Sequence, residues 1–213
     1  MQSVIIKGIE IAANDGENYI QINDIGIKET EEIWDELAKN YAGCTADFCF
    51  HNTVAPEAFL KEKGAALLDN CIEAWLSPKE FAEPAAESLD IIEINQSNFH
   101  LLSSVHDEKN PDMHWNSERL LKDLSNWYIL LMLSDGEVQG YILMRSGWEI
   151  YCLQAEKLEN KIALMASCVR KAFSEGDKEV LFMIDRNNYL ELGAALHLGF
   201  KRKGYYISYR MKF

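Results

Sequence analysis

The residues in this sequence that most readily perform chemistry are its cysteines and histidines, which act as nucleophiles, proton carriers or metal ligands. The five cysteines stand at positions 44, 49, 71, 152 and 168, and none of them forms a CxxC motif. Three of the histidines, His100, His106 and His114, also lack a familiar ligand spacing. This pattern predicts reduced, buried thiols in a cytoplasmic protein, and no metal site.

The charge of the chain is acidic and unevenly divided. The 213 residues carry a formal net charge of −13, which argues against nucleic acid and anionic membranes as partners. Residues 1–87 hold 6 basic and 17 acidic side chains, whereas residues 88–213 hold 15 and 17. The stretch SPKEFAEPAAES at 77–88 is a candidate linker, because it contains prolines and has no apolar periodicity. We therefore expect two unlike parts, 1–87 and 88–213, without a membrane span.

The second part, residues 88–213, alternates strand-like and helix-like patterns in the order β-α-α-β-β-β-α-β-α-β-β. The run Val180–Ile184 is continuously apolar, which is typical of a strand covered on both faces. The helix that precedes it ends at Gly176. After the last helix, Gly199 favours a helix stop and Gly204 a turn, so residues 201–213 are predicted to close the chain as a hairpin.

The first part repeats the later portion of that order. A hairpin surrounds NDGEN, a helix follows an N-cap at Thr30, a strand spans Thr45–Phe50, and a second helix starts near Pro56. Two closing strands are then predicted within 65–76. They correspond to the two strands predicted at the end of the second part. The pattern indicates an internal repeat whose first copy lacks the opening strand and helices.

Residues 88–213 resemble the GNAT acyltransferase superfamily in element order, most closely at NNYLELGAALHLGF (187–200). Residues 1–87 resemble the second half of the same fold, as in tandem members of the superfamily. The resemblance implies an α/β fold with a mixed sheet in 88–213 and a truncated GNAT-like module in 1–87. It also implies transfer of an acyl group from acetyl-CoA, as cosubstrate, to the primary amine of a small molecule or a peptide.

The resemblance assigns residues to the cosubstrate. The bulged fourth strand of the family corresponds to Trp148–Leu153, so Cys152 and Leu153 would lie beside the thioester. Cys152 is then either an acylated thiol or a small buried residue. Lys157 and Lys161 would lie near the pyrophosphate at the start of the following helix. Asn188 would either contact the pantetheine arm or cap its helix.

The cofactor loop departs from the family pattern. Glu156, Glu159 and Lys161 occupy positions of the Arg/Gln-x-x-Gly-x-Gly/Ala motif, and no glycine occurs between Gly147 and Gly176. Two carboxylates at a helix N-terminus are expected to take its free N–H groups and to repel pyrophosphate. The tyrosine that usually serves as general acid is replaced by alanine, at position 195.

The same resemblance indicates catalytic residues. Glu149, on the fourth strand, is the candidate base, and an ordinary strand carboxylate is the alternative. Tyr205, with Tyr206 and Tyr209, is the candidate replacement for the acid, and strand packing is the alternative. His197 is either a base or a surface residue, and KRK at 201–203 either binds the 3′-phosphate of CoA or is solvated.

Three interpretations of the whole chain follow. One is an acyl-CoA-dependent N-acyltransferase with a divergent loop. The second is a catalytically inactive relative that binds a ligand or a partner. The third is a purely architectural pairing of two divergent copies that serves dimerisation or regulation. A homodimer is compatible with all three, because the sequence carries no signal that sets the oligomeric state.

Overall fold

A computed structural model of the chain describes residues 2–85, 90–111, 113–147 and 149–213. It divides the chain into two compact units, a first unit of Met1–Ile72 with Gly204–Phe213 and a second unit of Glu73–Lys203. The boundary predicted between residues 87 and 88 lies outside the described residues, as do residues 86–88 of the predicted linker. The described part of that linker belongs to the second unit.

The secondary structure is mixed. The strands are β1 (Gln2–Ile6), β2 (Ile9–Asn14), β3 (Tyr19–Asn23), β4 (Thr45–His51), β5 (Ala66–Leu76), β6 (Asp90–Glu93), β7 (Trp127–Ser134), β8 (Glu137–Arg145), β9 (Glu149–Ala155), β10 (Val180–Asp185) and β11 (Lys201–Lys212). The α-helices are α1 (Ile27–Asn40), α2 (Glu57–Glu62), α3 (His100–Lys109), α4 (Ser117–Lys122), α5 (Leu158–Ser174) and α6 (Tyr189–His197). Of the helices within the described residues, none is long and apolar enough to cross a bilayer.

In the first unit the strands run in the order β1-β2-β3-β4-β11-β5. Strands β3 and β4 are parallel, and β4 pairs antiparallel with β11 from Tyr206↔His51 to Lys212↔Thr45. Helices α1 and α2 pack on one face of this sheet through a core that includes Ile33, Leu37 and Leu60. The first unit therefore needs the last residues of the chain to complete its sheet.

In the second unit the strands run in the order β5-β10-β9-β8-β7-β6. Strands β6 to β9 form an antiparallel meander, and β9 and β10 are parallel. One face of the meander forms a core with α3 and α4, including Leu102, Leu120 and Leu143. Helix α5 follows β9 and returns the chain to β10, as a parallel connection requires.

The predicted terminal hairpin is wrong. Residues 201–212 form the single strand β11, and Gly204 lies inside it without a positive φ angle. Residues 66–76 likewise form one strand, β5, where two were predicted. Glycine permits a turn but does not require one, and each strand instead continues from one compact unit into the other.

Helix α1 also begins earlier than predicted. Gly26 is its N-cap residue, and Thr30 is a buried residue of the first turn instead of the cap. The Thr30 hydroxyl donates a hydrogen bond to the Gly26 carbonyl over 2.7 Å, which satisfies a buried polar group locally.

Candidate functional site

The parallel strands β9 and β10 separate along their length. They are in register only at Glu149↔Leu181 and Ile150↔Phe182. The remaining residues of both strands, all of which the structure describes, have no ladder partner in the other strand. The two strands therefore open toward their carboxyl ends, which is where open α/β sheets bind ligands.

A β-bulge lies at the point where the strands part. Leu143 of β8 is opposite Cys152, whereas the next residue, Met144, is opposite Ile150, so Tyr151 is the extra residue of β9. A bulge leaves its extra residue outside the ladder and turns the local backbone. The bulge therefore changes the direction of the β9 backbone where the sheet opens.

Helix α5 presents its N-terminus at the carboxyl end of β9. Its N-cap residue is Lys157, which makes no side-chain capping hydrogen bond. Within the described residues, no side chain accepts a hydrogen bond from the first turn of α5, and Glu156 and Glu159 are exposed. The expected capture of these N–H groups by the two carboxylates is therefore not seen. The helix end remains an anion site with two acidic neighbours.

Lys161 lies inside the protein and not at the exposed helix end. Its ammonium is 3.2 Å from the Glu191 carboxylate of α6 and donates to the Leu153 carbonyl over 3.3 Å. Both side chains are almost fully buried. Burial raises the pKa of Glu191, and the charge of Lys161 opposes that rise. An ion pair thus joins β9, α5 and α6 beside the open strands.

Asn188 caps helix α6, as one of its two predicted roles requires. Its side-chain oxygen accepts a hydrogen bond from the Glu191 backbone N–H over 3.1 Å. A shallow depression adjoins this helix start and is lined by Asp185, Asn187, Asn188, Tyr189 and Leu190. Asn188 therefore lies at the open end of the separated strands and also fixes the helix that carries Glu191.

Glu149 lies where β9 and β10 are still paired, and it is opposite Arg145 of β8. Its side chain is half-buried, and burial raises its pKa while the charge of Arg145 opposes the rise. A carboxylate with a raised pKa is a stronger base than an exposed one. Cys152 is buried, which raises the pKa of its thiol to about 12 and keeps it protonated, so it is not activated as a nucleophile.

Aromatic side chains surround Glu149 on the face of the sheet that carries α3 and α4. Trp127, Arg145 and Glu149 are directly opposite one another on three successive strands, so they share a face. The ring of Trp127 contacts Trp115 and Tyr151 at centroid distances of 5.1 and 5.6 Å. Sequence reasoning missed these rings: Trp115 lies in a loop without periodicity, and Trp127 reads as an ordinary strand residue.

A buried polar network holds the loop of Trp115. The Nε2–H of His106 donates to the Trp115 carbonyl over 2.8 Å, which leaves Nδ1 to accept from the Tyr141 hydroxyl at 3.1 Å. The same hydroxyl accepts from the Asn110 amide over 2.7 Å. His106 is fully buried, so these partners fix its neutral tautomer and thereby the loop.

The remaining candidates lie elsewhere. Tyr205 belongs to the first unit, where its backbone N–H donates to the Asn52 side chain over 2.9 Å. Tyr206 donates to Cys49, and Tyr209 is buried in the core of the first unit. These contacts agree with strand packing, and the structure does not bring the three tyrosines into the unit of Glu149.

The basic cluster at 201–203 is largely paired. Lys201 is 3.1 Å from Glu80, and Lys203 is 2.6 Å from Glu179. His197 is exposed near the end of α6, and Ala195 is buried beneath it. Arg202 of this cluster is exposed, as is Lys157 at the start of α5.

Comparison with known proteins identifies the fold. No protein-family model matches the sequence, and no curated protein does. A GCN5-related N-acetyltransferase from Kribbella flavida is similar in structure, with a TM-score of 0.63 and 11% identity over 98% of this chain and 88% of its own. A tandem GNAT protein from the clavulanic acid biosynthesis pathway has a TM-score of 0.60 and 13% identity, over 95% of this chain and 78% of its own.

A third similar structure is a conserved protein of unknown function from Staphylococcus epidermidis, with a TM-score of 0.69 and 10% identity over 99% of this chain and 94% of its own. These likenesses confirm the predicted resemblance: the chain has the mixed α/β fold of the GNAT N-acetyltransferases. The identities are too low to carry an activity from one protein to another, so the function must be argued from the site.

Proposed function

We propose that the protein is an N-acyltransferase that moves an acyl group from acyl-CoA to a primary amine. The observation that carries the proposal is the coincidence of the Tyr151 bulge with the parting of β9 and β10. Together they provide an opening between two strands, bordered by a bend in the β9 backbone. This is what an extended thioester ligand requires, because its amides need main-chain partners and its carbonyl needs a donor.

The residues of this opening fit acetyl-CoA at its acyl end and less well at its phosphate end. The backbone of Cys152 and Leu153 would hold the pantetheine arm, with Asn188 across the opening. The N-terminus of α5 and the exposed Lys157 would hold the diphosphate. The exposed carboxylates of Glu156 and Glu159 would weaken that contact by repulsion. When bound, the cosubstrate supplies an activated thioester.

Glu149 would act as the base in this reaction. An amine attacks an acyl carbon only when it is neutral, so a proton must leave the ammonium ion, directly or through water. Because burial raises the pKa of Glu149, its carboxylate is a stronger base than an exposed one. A backbone N–H of β9 would stabilise the negative charge on the acyl oxygen. Tyr205 stays the candidate for the general acid.

The two carboxylates at the helix provide the test. We expect acetyl-CoA to raise the melting temperature of the wild-type protein only slightly. The rise should be larger for Glu156→Gln/Glu159→Gln, because the repulsion of the diphosphate is removed. A ligand at a hundredfold excess over its Kd adds about 2.7 kcal/mol to the free energy of unfolding. The matched control is Glu29→Gln/Glu31→Gln in α1, where Glu29 lies in the first turn. Acetyl-pantetheine, which has no diphosphate, should affect wild type and variant equally. No shift in any of these proteins would contradict the proposal.

A second candidate function is a ligand- or partner-binding relative without activity. The observation that favours it is the Lys161 ammonium on the Leu153 carbonyl, since that acceptor is then not available to an extended ligand. The loss of the usual tyrosine at Ala195 points the same way. Release of free thiol from acetyl-CoA in the presence of an amine panel separates the two candidates, because only the transferase produces it.

A further inference from the structure

Two aromatic rings form a corner on the helical side of the first unit, here called the aromatic corner: Trp34 of α1 and Phe59 of α2. The rings meet at nearly a right angle, with an interplanar angle of 88° and a centroid distance of 5.1 Å. Both side chains pack against the core of this unit and are partly exposed. The two rings can therefore contact both the core and a group that approaches from solvent.

The ammonium group of Lys63 lies at this corner. Its Nζ atom is 5.3 Å from the ring centroid of Phe59 and 5.9 Å from that of Trp34. Both distances are within the roughly 6 Å over which a ring face attracts a cation. Lys63 is exposed and follows Phe59 by four residues, so the two share a face of α2. Within the described residues, no carboxylate lies at ion-pair distance from this ammonium.

Packing beneath the corner fixes its rings. Trp34 stacks on Phe48 with a centroid distance of 5.8 Å, and Phe48 is fully buried. Trp34 also packs against Phe213 at 5.2 Å. The backbone N–H of Phe213 donates to the Cys44 carbonyl over 3.0 Å. A ligand that meets a fixed ring surface does not lose affinity to the ordering of that surface.

The contact of Lys171 with Tyr128 in the second unit shows the ordinary alternative. The Lys171 ammonium lies 5.5 Å from the ring centroid and 2.7 Å from the Glu175 carboxylate. As far as the structure describes the chain, this lysine faces a single ring. An exposed ion pair of this kind contributes little and indicates no ligand. Lys63 differs in both respects, because two rings and no carboxylate hold its ammonium.

We infer that the aromatic corner is a binding site for a methylated ammonium group, which displaces the ammonium of Lys63. A primary ammonium ion is strongly hydrated, and a free one must compete with Lys63, which is tethered at the site. A trimethylammonium group presents methyl groups to both ring faces, and aromatic corners and cages bind such groups. The 17 acidic against 6 basic side chains of residues 1–87 also attract a cation.

This inference goes beyond acyl transfer and does not depend on it. The chemistry is that of choline and of a trimethylated lysine side chain, since both carry the same cationic group. The rings do not contact the rest of either molecule in a way that selects one of them, so both belong in the experiment.

The test is calorimetric titration of the full chain with choline, ethanolamine and 3,3-dimethylbutan-1-ol. Ethanolamine has the charge without the methyl groups, and the alcohol has the shape of choline without its charge. We expect choline to bind more tightly than either. Phe59→Leu should weaken choline binding about tenfold, because it keeps apolar volume but removes a ring face. Lys63→Gln should strengthen it several-fold, because the internal competitor is gone. Lys171→Gln is the matched control and should change nothing.

The outcomes decide between this site and an ordinary surface contact. Absence of choline binding to both the wild type and Lys63→Gln would overturn the inference. Equal binding of ethanolamine or of the alcohol would also overturn it, since the site would then recognise any cation or any apolar group. A trimethyl-lysine peptide that binds more tightly than choline would assign the site to a modified protein, and the reverse to a small molecule. Should Phe59→Leu fail to fold, the exposed Lys63→Gln must still show the gain.

Discussion

The two units contain the same local arrangement, a strand, a helix and a parallel strand, in two different states. In the first unit β3 and β4 pair at five successive positions, from Tyr19↔Thr45 to Asn23↔Cys49. In the second unit, as far as the structure describes the chain, β9 and β10 pair at two positions, Glu149↔Leu181 and Ile150↔Phe182. The strand before each pair differs as well, because β2 and β3 are in regular register whereas β8 and β9 contain a bulge.

The side chains around the two strand pairs differ in the same sense. The fourth residue of α1 is Thr30, which bonds its own helix, whereas the fourth residue of α5 is Lys161, which reaches across to α6. The third residue of α2 is Phe59, which packs against Trp34 at 5.1 Å. The third residue of α6 is Glu191. At these helix positions the closed pair is bordered by a local hydrogen bond and an apolar contact, and the open pair by an ion pair. The closed pair has an ion pair of its own, between the buried Asp47 and Arg210, but it joins β4 to β11 and not to a helix.

The same order of elements can therefore form a closed structural sheet in one unit and a candidate ligand site in the other. Opening a parallel pair removes ladder hydrogen bonds, and the polar groups that remain need other partners. Lys161 supplies one such partner at Leu153. The chemistry proposed for this protein is therefore confined to the second unit, where the ladder is incomplete.

The largest expected effect is on the first unit. Deleting residues 204–213 removes the strand that pairs with β4 and the Arg210 guanidinium that binds the buried Asp47 carboxylate through two contacts of 2.7 Å. We expect the first unit to unfold, because an uncovered sheet edge and an unpaired buried charge remain. Hydrogen exchange should show loss of protection in β2–β4. Deletion of the edge strand β1 is the control, and equal protection in both truncated chains would contradict this prediction.

The next effect concerns the ion pair of the open strands. Lys161→Met should reduce the free energy of unfolding by about 3–5 kcal/mol, because it leaves the buried Glu191 carboxylate without its partner. The double variant Lys161→Met/Glu191→Leu should recover most of that loss. Urea denaturation of the wild type, both single variants and the double variant measures the coupling. A single variant as stable as the wild type would show that the pair contributes nothing.

The bulge gives a third prediction. Removing Tyr151 would bring Cys152 next to Ile150 and restore the regular register that β3 already has. We expect the shortened chain to fold and to lose acyl transfer by about 10²–10³-fold, the typical effect of removing one oxyanion donor. Tyr151→Ala keeps the extra residue, so it should retain the melting shift with acetyl-CoA. If the deletion variant kept the full rate of acyl transfer, the bulge would have no role in catalysis.

The smallest effect is a pH dependence at Glu149. Because burial raises its pKa, the folded state holds this proton more tightly than the unfolded state does. Stability from this group is complete below the unfolded pKa of about 4.3 and is lost as pH rises through the folded value. Glu149→Gln should therefore gain stability relative to wild type as pH rises from 4, then level off.

The same substitution should lower turnover about 10²-fold. Denaturation curves at several pH values check the stability effect, and a relative gain toward low pH would have the wrong sign. Turnover is measured with the best amine of the panel, and an unchanged rate would remove Glu149 from the base role.

Much of the fold was predictable because periodicity marks buried faces. The order of strand-like and helix-like patterns placed β7 to β9, and the continuous apolar run placed β10, since a strand covered on both faces leaves no polar alternation. The closing strands were not predictable in the same way. Gly204 looks like a turn locally, but only pairing with β4, distant in sequence, decides that β11 stays extended.

Residues of the candidate site could be predicted only at positions that correspond to the family's element order. Glu149, Asn188 and Cys152 were located through their element order, and their burial and partners required coordinates. Lys161 was expected near a phosphate, because helix position alone does not tell that its side chain turns inward to Glu191. The position of Trp115 could not be predicted from the sequence, because this loop residue is held by a hydrogen bond from the buried His106 of α3.

The late position of β11 in the chain also determines when the sheet of the first unit can be completed during synthesis. Residues 1–72 leave the ribosome first but need Gly204–Phe213 to complete their sheet, so they wait while the 131 residues of Glu73–Lys203 are made. At roughly 5–20 residues per second, that interval lasts about 7–26 s. During it, the edge of β4 and the apolar residues Phe48 and Phe50 lack the strand that later covers them. The first unit therefore lacks part of its sheet until residues 204–213 have been made.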